Sequence, residues 1–333
     1  ELNFELPVCR DSYCSSYLRQ EGQGLLIGPY ETFGAKPWAL DGMDWDFDRG
    51  LFPDDLERLM PFLDRCMERM PIFSEVGIKT VINGAITHTP DDNFLAGPAP
   101  GLKNFWMFCG ASIGIAQGGG AGKYMAQWMM HGDADINMLE FDCRRYLGWA
   151  DKKYAVERSI DEYTRQYTTP FPGEEINVAR KIKTTPIYDH LKKQGANFID
   201  VYGWEKPKWF SNNDEKEDYS YRRNNSFNYV KKECENVHNN VGILDLSTFA
   251  KFEISGKDSE SFLDRLCSNK IPKKEGSIVL THMLNEKGRI QSELTITRFP
   301  NNIFYVLSST ASEIRDLDWF NHHLKKEENV NIK

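Results

Sequence analysis

Between Cys109 and Lys123 the chain carries glycine at positions 110, 114, 118, 119, 120 and 122. Glycine loses more conformational freedom on folding than any other residue, so an ordered run of this kind must be held by something pressed close to it. Asn104 to Cys109 reads as a short buried strand and Ala121 to His131 as a helix closed by Gly132. Gly110 to Gly122 reads as the glycine-rich loop that joins them. A helix starting beyond such a loop offers N–H groups without internal partners, at the positive end of its dipole. That end suits a phosphate or an electron-rich ring. The pattern is neither Gly-x-Gly-x-x-Gly after the first strand of a βαβ unit nor a phosphate loop ending in Gly-Lys-Ser/Thr. The residues alone leave two readings open: a loop laid against a flat or anionic ligand, or a tight loop serving close helix packing.

The 333 residues exceed what one compact core usually spans, so two domains or parts of domains are expected. The formal net charge is -8, and the Lys325-Lys326 pair is followed at once by Glu327 and Glu328, which leaves nucleic-acid binding without electrostatic support. No apolar run approaches the roughly 18–20 residues of a membrane span. The seven cysteines form no Cys-x-x-Cys pair. They read as reduced thiols of an intracellular protein, cytoplasmic or, in a eukaryote, of the mitochondrial matrix. The chain begins at Glu1 without a signal peptide and stops just after an amphipathic stretch, so both ends read as cut.

Tyr13 to Gln20 and Gly24 to Tyr30 alternate around Glu21-Gly22-Gln23 and predict a hairpin. Leu56, Leu59, Met60, Leu63, Cys66 and Met67 recur at helical spacing between Asp54 and Met70. Val76 to Asn83 predicts a strand, and Thr89-Pro90-Asp91-Asp92-Asn93 a turn. Residues 146–183 are charged and aromatic and read as a connector, with a turn at Pro170-Phe171-Pro172-Gly173. A new unit begins near Thr184-Thr185-Pro186, and Ser211 to Ser226 reads as a polar surface loop. Helices are expected over Phe227–Val237 and Asp258–Leu266, and strands over Lys251–Ile254, Ile278–Met283, Gln291–Arg298 and Ile303–Ser308.

Several motifs together resemble known families. Thr89-Pro90-Asp91-Asp92-Asn93, Pro100-Gly101-Leu102-Lys103-Asn104-Phe105-Trp106 and Cys109 to Lys123 resemble the flavin-contacting segment of the D-amino-acid/sarcosine oxidase superfamily. Tyr17-Leu18-Arg19-Gln20-Glu21 with Gly24 to Glu31 is similar to the dimethylglycine/sarcosine dehydrogenase branch. The resemblance implies that Gly110, Ser112, Ile113, Gly114, Ile115, Ala116, Gln117 and Gly118 lie against FAD. Tyr30 and Glu31 are candidates to line an amine pocket, because aromatic walls suit alkylammonium groups; strand packing is the ordinary role of either.

The later half resembles the glycine-cleavage aminomethyltransferase, or T-protein, family through Thr184 to Asp189, Gly203-Trp204-Glu205-Lys206-Pro207, Val241 to Ser247, Phe252 to Gly256 and Met283 to Leu294. That resemblance implies tetrahydrofolate binding. The family motif Asn-x-x-Gly-Gly-Ile-x-Asp-Asp-Leu is altered here: Arg289 replaces its second glycine, Ser292 the first Asp and Glu293 the second. Glu293 keeps a carboxylate that can meet the adjacent N–H donors of a pterin, and it is the candidate catalytic residue. On residues alone it is equally a solvent-facing strand residue, sharing a face with Gln291 and Thr295. Asp245 before Leu-Ser-Thr reads first as a turn or cap residue. His88 and His282 are candidates to titrate near neutral pH, though a lone His is usually just hydrogen-bonded, and His322-His323 reads as helix surface. No cluster has metal-ligand spacing.

The implied fold class is a mixed α+β and α/β multidomain chain. It is the C-terminal part of a D-amino-acid-oxidase-like FAD domain (1–146), a connector (147–183) and the first part of an aminomethyltransferase-like folate-binding domain (184–333). The implied reaction is oxidative N-demethylation of a small methylated amine, dimethylglycine or sarcosine. Electrons pass to an electron-transfer flavoprotein or oxygen, and the one-carbon unit to tetrahydrofolate. No nucleic acid or membrane partner is expected. Two alternatives stay open: a non-enzymatic regulator like the pyruvate dehydrogenase phosphatase regulatory subunit, and a transferase in which only the folate domain acts.

Overall fold

The structure, a computed structural model, describes residues 5–211, 213 and 215–333. The strands are β1 (Cys9–Asp11), β2 (Ser16–Glu21), β3 (Gly24–Pro29), β4 (Leu51–Phe52), β5 (Asn83–Gly84), β6 (Leu95–Pro98), β7 (Trp106–Cys109), β8 (Ala196–Val201), β9 (Trp204–Phe210), β10 (Ala250–Ser255), β11 (Ile278–Leu284), β12 (Ile290–Phe299), β13 (Ile303–Ser308) and β14 (Asn331–Ile332). The α-helices are α1 (Leu56–Arg69), α2 (Gly114–His131), α3 (Lys152–Arg165), α4 (Tyr188–Lys193), α5 (Ser226–Asn239), α6 (Ser259–Leu266) and α7 (Glu313–His323). The chain divides into two compact units. One comprises Glu1–Phe94, Gly110–Gly114 and Asp151–Ala179; the other comprises Leu95–Cys109, Ile115–Ala150 and Arg180–Lys333.

In the first unit β2 and β3 form the expected hairpin, in register from Ser16↔Pro29 to Glu21↔Gly24, and β1 pairs with β2. Asp55 caps α1 by accepting from the Arg58 N–H at 3.1 Å. Phe62, Leu63 and Cys66 form its buried face. The expected strand over Val76–Asn83 is absent except for Asn83–Gly84, which pairs with Leu51–Phe52. Val76, Ile78 and Ile82 are exposed. A strand exists only through a neighbour's hydrogen bonds, and this apolar run meets none beyond that short pair. Within the expected connector α3 forms a full helix, capped by Asp151, whose Oδ1 accepts from the Tyr154 N–H at 2.7 Å.

The second unit is organised on a five-stranded sheet of order β11-β12-β13-β10-β14, antiparallel throughout. Phe252 and Ile254 of β10, Leu294 and Ile296 of β12, and Phe304 and Val306 of β13 turn to one face. There they pack with Phe262 and Leu263 of α6 and Phe320 of α7. The strict alternation along each strand is the period-two pattern of a half-covered sheet. β8 and β9 make a separate hairpin whose two-residue turn, Tyr202-Gly203, has φ of +51° and +81°.

Two expectations about the glycine run are corrected. The strand before it is not buried: Phe108 is 44% exposed in the two-stranded β6–β7 ribbon. The loop is also short, because α2 begins at Gly114 and carries Gly118, Gly119, Gly120 and Gly122 inside it. Each internal glycine costs about 1 kcal/mol relative to alanine. The helix persists because it is long and buries Ala121 and Met125, and because Gly132, at φ +70°, closes it by donating to the Trp128 carbonyl at 2.8 Å.

Candidate functional site

The face of the five-stranded sheet opposite its core holds a cleft of about 400 Å³. Leu280, Thr295 and Leu307 form its floor, standing opposite one another across β11, β12 and β13. Leu246 and Phe249 line it from the segment preceding β10. Lys251 holds that segment: its ammonium donates to the carbonyls of Leu246, Ser247 and Phe249 at 3.3, 2.8 and 2.8 Å. Burial pulls the Lys251 pKa below the ordinary lysine range. Leu139, Ser309, Ser312 and Arg315 complete the lining.

Glu293 lies in this cleft, because Ser292 and Leu294 on either side turn into the core. Its side chain is 64% exposed, so it faces solvent and lines the cleft at once. His282 stands directly opposite on β11 with Nε2 3.2 Å from Glu293 Oε2. Arg315 donates from Nη2 to Ser312 Oγ at 3.0 Å, and its buried Nε has no hydrogen-bond partner. An apolar floor, an exposed carboxylate and a guanidinium at one end suit a flat heterocycle that carries both N–H donors and an anionic group. Arg289, which replaces a motif glycine, pairs with Asp133 at 2.8 Å and donates to the Ala134 carbonyl at 3.1 Å. Asp245 serves as a turn residue, accepting from the Ser247 N–H at 2.9 Å. Burial opposes its charge, but hydrogen bonds from Ser247 and Thr185 and the nearby Lys251 ammonium together lower its pKa.

The residues expected to meet FAD surround the start of α2. Gly110 sits at φ +74°, a conformation that favours glycine. Ser112 donates from Oγ to Asp92 Oδ1 at 2.8 Å, and His88 Nδ1 lies 3.2 Å from the same oxygen. Burial pushes the Asp92 pKa up, and hydrogen bonds from His88 and Ser112 bring it below its ordinary value. Gly114, Ile115 and Ala116 are exposed, as is Ile113. Gln117 holds a buried carbonyl oxygen with no partner. A Cβ at Gly118, Gly119, Gly120 or Gly122 would meet nothing within 4 Å. An orphaned acceptor, unpaired first-turn N–H groups and an open glycine surface fit a flat, hydrogen-bonding cofactor such as FAD.

Tyr30 is half-buried in an aromatic cluster, its ring 4.8 Å from that of Tyr167 and 5.5 Å from that of Tyr163. Glu31 beside it is paired, 2.7 Å from Arg58 Nε and accepting from the Tyr163 hydroxyl at 3.0 Å. Arg10 already lies over Tyr167, 4.3 Å from the ring centroid. Sequence reasoning missed Arg315, Lys251 and Arg10. Single basic residues scattered along a chain carry no signal until the fold brings them to a site.

Comparison with known proteins connects these features. Residues 1–128 match the family described as FAD dependent oxidoreductase, residues 131–185 the FAD dependent oxidoreductase central domain, and residues 187–333 the GCVT N-terminal domain. The chain is 36% identical to the mitochondrial dimethylglycine dehydrogenase of Rattus norvegicus over 96% of its own length. It is 33% identical to the mitochondrial sarcosine dehydrogenase of Homo sapiens over 88% of its length. It is 28% identical to the mitochondrial pyruvate dehydrogenase phosphatase regulatory subunit of Mus musculus over 99%. It spans 38%, 35% and 38% of these three relatives' own lengths. Among the described residues no helix is long and apolar enough to cross a membrane. The chain belongs to the dimethylglycine/sarcosine dehydrogenase family, with an FAD-dependent oxidoreductase portion followed by a GCVT aminomethyltransferase-like portion.

Proposed function

We propose that the chain is part of an FAD-dependent dehydrogenase that removes a methyl group from a methylated glycine and delivers the one-carbon unit to tetrahydrofolate. The observation that carries this reading is the cleft holding Glu293 on the portion that matches the GCVT family. In this reading residues 1–146 form the flavoprotein portion, 147–183 the connector and 184–333 the folate portion. Bound FAD supplies two-electron oxidation of a C–N bond. Gly110, Ser112, Ile113, Gly114, Ile115, Ala116, Gln117 and Gly118 hold the cofactor. Tyr30 contributes an aromatic wall for the amine. Glu293 accepts from the pterin's N–H donors, and its negative charge favours the cationic one-carbon donor. Leu280 and Leu307 offer an apolar face on which the flat pterin ring can lie. In this reading the electron acceptor is an electron-transfer flavoprotein or oxygen, and the compartment is the cytoplasm or, in a eukaryote, the mitochondrial matrix; the relatives' names carry the word mitochondrial.

Anaerobic addition of dimethylglycine or sarcosine to the flavin-loaded holoenzyme is expected to bleach the flavin. Absence of bleaching with both amines rejects the redox reading. The match to the phosphatase regulatory subunit supports a second reading, a regulator without turnover. Tight binding of a phosphatase together with no bleaching is the outcome that selects it.

A further inference from the structure

We infer that His282 is a positioning residue for Glu293, fixing the carboxylate in the orientation that binds ligand without lining the cleft itself. The inference rests on the folate reading of the cleft. His282 and Glu293 are register partners on β11 and β12, and His282 Nε2 stands 3.2 Å from Glu293 Oε2. The backbone under His282 is fixed from both sides. β12 pairs with it along one edge, and the Ser268 N–H donates to the His282 carbonyl at 3.0 Å along the other. Its neighbours Thr281 and Met283 are both fully buried, which sets the side of the strand from which the imidazole projects. Only a third of the His282 side chain is exposed.

Glu293 is built differently. It is mostly exposed, and among the described residues His282 is the one side chain that meets its carboxylate. An exposed glutamate samples many rotamers, and binding a flat donor array requires one of them. Because His282 engages Oε2, Oε1 is left to accept from a ligand. A cross-strand pair of this kind adds little to folding, so the effect of losing it falls on binding rather than on stability.

The test is anaerobic calorimetric titration of the chain with tetrahydrofolate, alongside thermal unfolding of every variant. His282→Leu is expected to weaken binding roughly threefold to tenfold with little change in the unfolding midpoint. His282→Gln, whose amide N–H can take the place of Nε2, is expected to restore most of the affinity. His282→Leu combined with Glu293→Gln is expected to bind no more weakly than Glu293→Gln alone, because the imidazole acts through the carboxylate. Unchanged affinity in His282→Leu, or additive losses in the double variant, overturns the inference while leaving the folate reading in place. Absence of tetrahydrofolate binding by the unaltered chain overturns that reading and the inference with it.

Discussion

Ser292 donates from Oγ to Asp316 Oδ2 at 2.8 Å in the interior of the second unit, joining strand β12 to helix α7. Asp316 is fully buried, and burial raises its pKa; the neighbouring Arg315 and the Ser292 hydroxyl offset part of that. Ser292 occupies the first acidic position of the T-protein motif as read from the sequence. Here that position faces the core and Glu293 faces the cleft. Removing the donor leaves a buried carboxyl less satisfied, so Ser292→Ala is expected to cost about 1–3 kcal/mol of stability. Asp316→Asn, which removes the charge and keeps an acceptor, is expected to cost less. Urea unfolding of the two variants checks the order.

Arg180 and Glu205 form a bidentate pair, with Nε to Oε1 at 2.9 Å and Nη2 to Oε2 at 2.6 Å, and Glu205 is 3% exposed. The Lys181 N–H also donates to Oε1 at 2.8 Å. Breaking a buried pair strands a charge, so Arg180→Met is expected to destabilise by about 3–5 kcal/mol. Arg180→Met with Glu205→Gln is expected to recover part of the loss, because no buried charge remains. A double variant no more stable than the single one contradicts this account.

Glu162 in the first unit has its pKa raised from 4.5 to about 7, chiefly by burial; Arg165 pulls it down, and Asp92, Asp161 and Asp91 push it up. The folded chain therefore holds this proton more tightly than the unfolded chain does. The stabilisation is complete below the unfolded value of 4.5 and is lost as pH rises through about 7. The unfolding midpoint of the first unit is expected to fall across that window, and Glu162→Gln to flatten the slope. A slope unchanged in Glu162→Gln assigns it to another group.

Legibility from sequence followed the physics of each element. β12 was readable because Leu294 and Ile296 alternate with Glu293, Thr295 and Thr297, and β11 and β13 because each is a short run rich in β-branched and aromatic residues. α1 was readable for the same reason at helical period, with Asp55 as its cap. α3 was hidden by its charge and its aromatic residues, although Asp151 before Lys152 carried a usable capping signal. The β8–β9 turn, Tyr202-Gly203, lacks the Asn-Gly or Asp-Gly pair that marks most such hairpins. Glu293 was found through a motif. Its partner His282 and the cleft residue Arg315 come from other elements, and only pairing register and helix placement bring them to the same site.

Gly119 and Gly120 sit inside α2, where an added Cβ would meet nothing, so the fold itself has no steric need for glycine there. Alanine is the stronger helix former by about 1 kcal/mol per position. Gly119→Ala and Gly120→Ala are therefore each expected to raise stability by roughly 0.5–1 kcal/mol. If the bare helix surface exists for close approach of FAD, the same substitutions lower the flavin retained by the purified holoenzyme, a trade of function against stability. Unfolding and flavin content measured on the same variants separate the two effects. Stabilisation with full flavin retention shows that Gly119 and Gly120 do not serve the cofactor, and leaves the contact to the residues from Gly110 to Gly118.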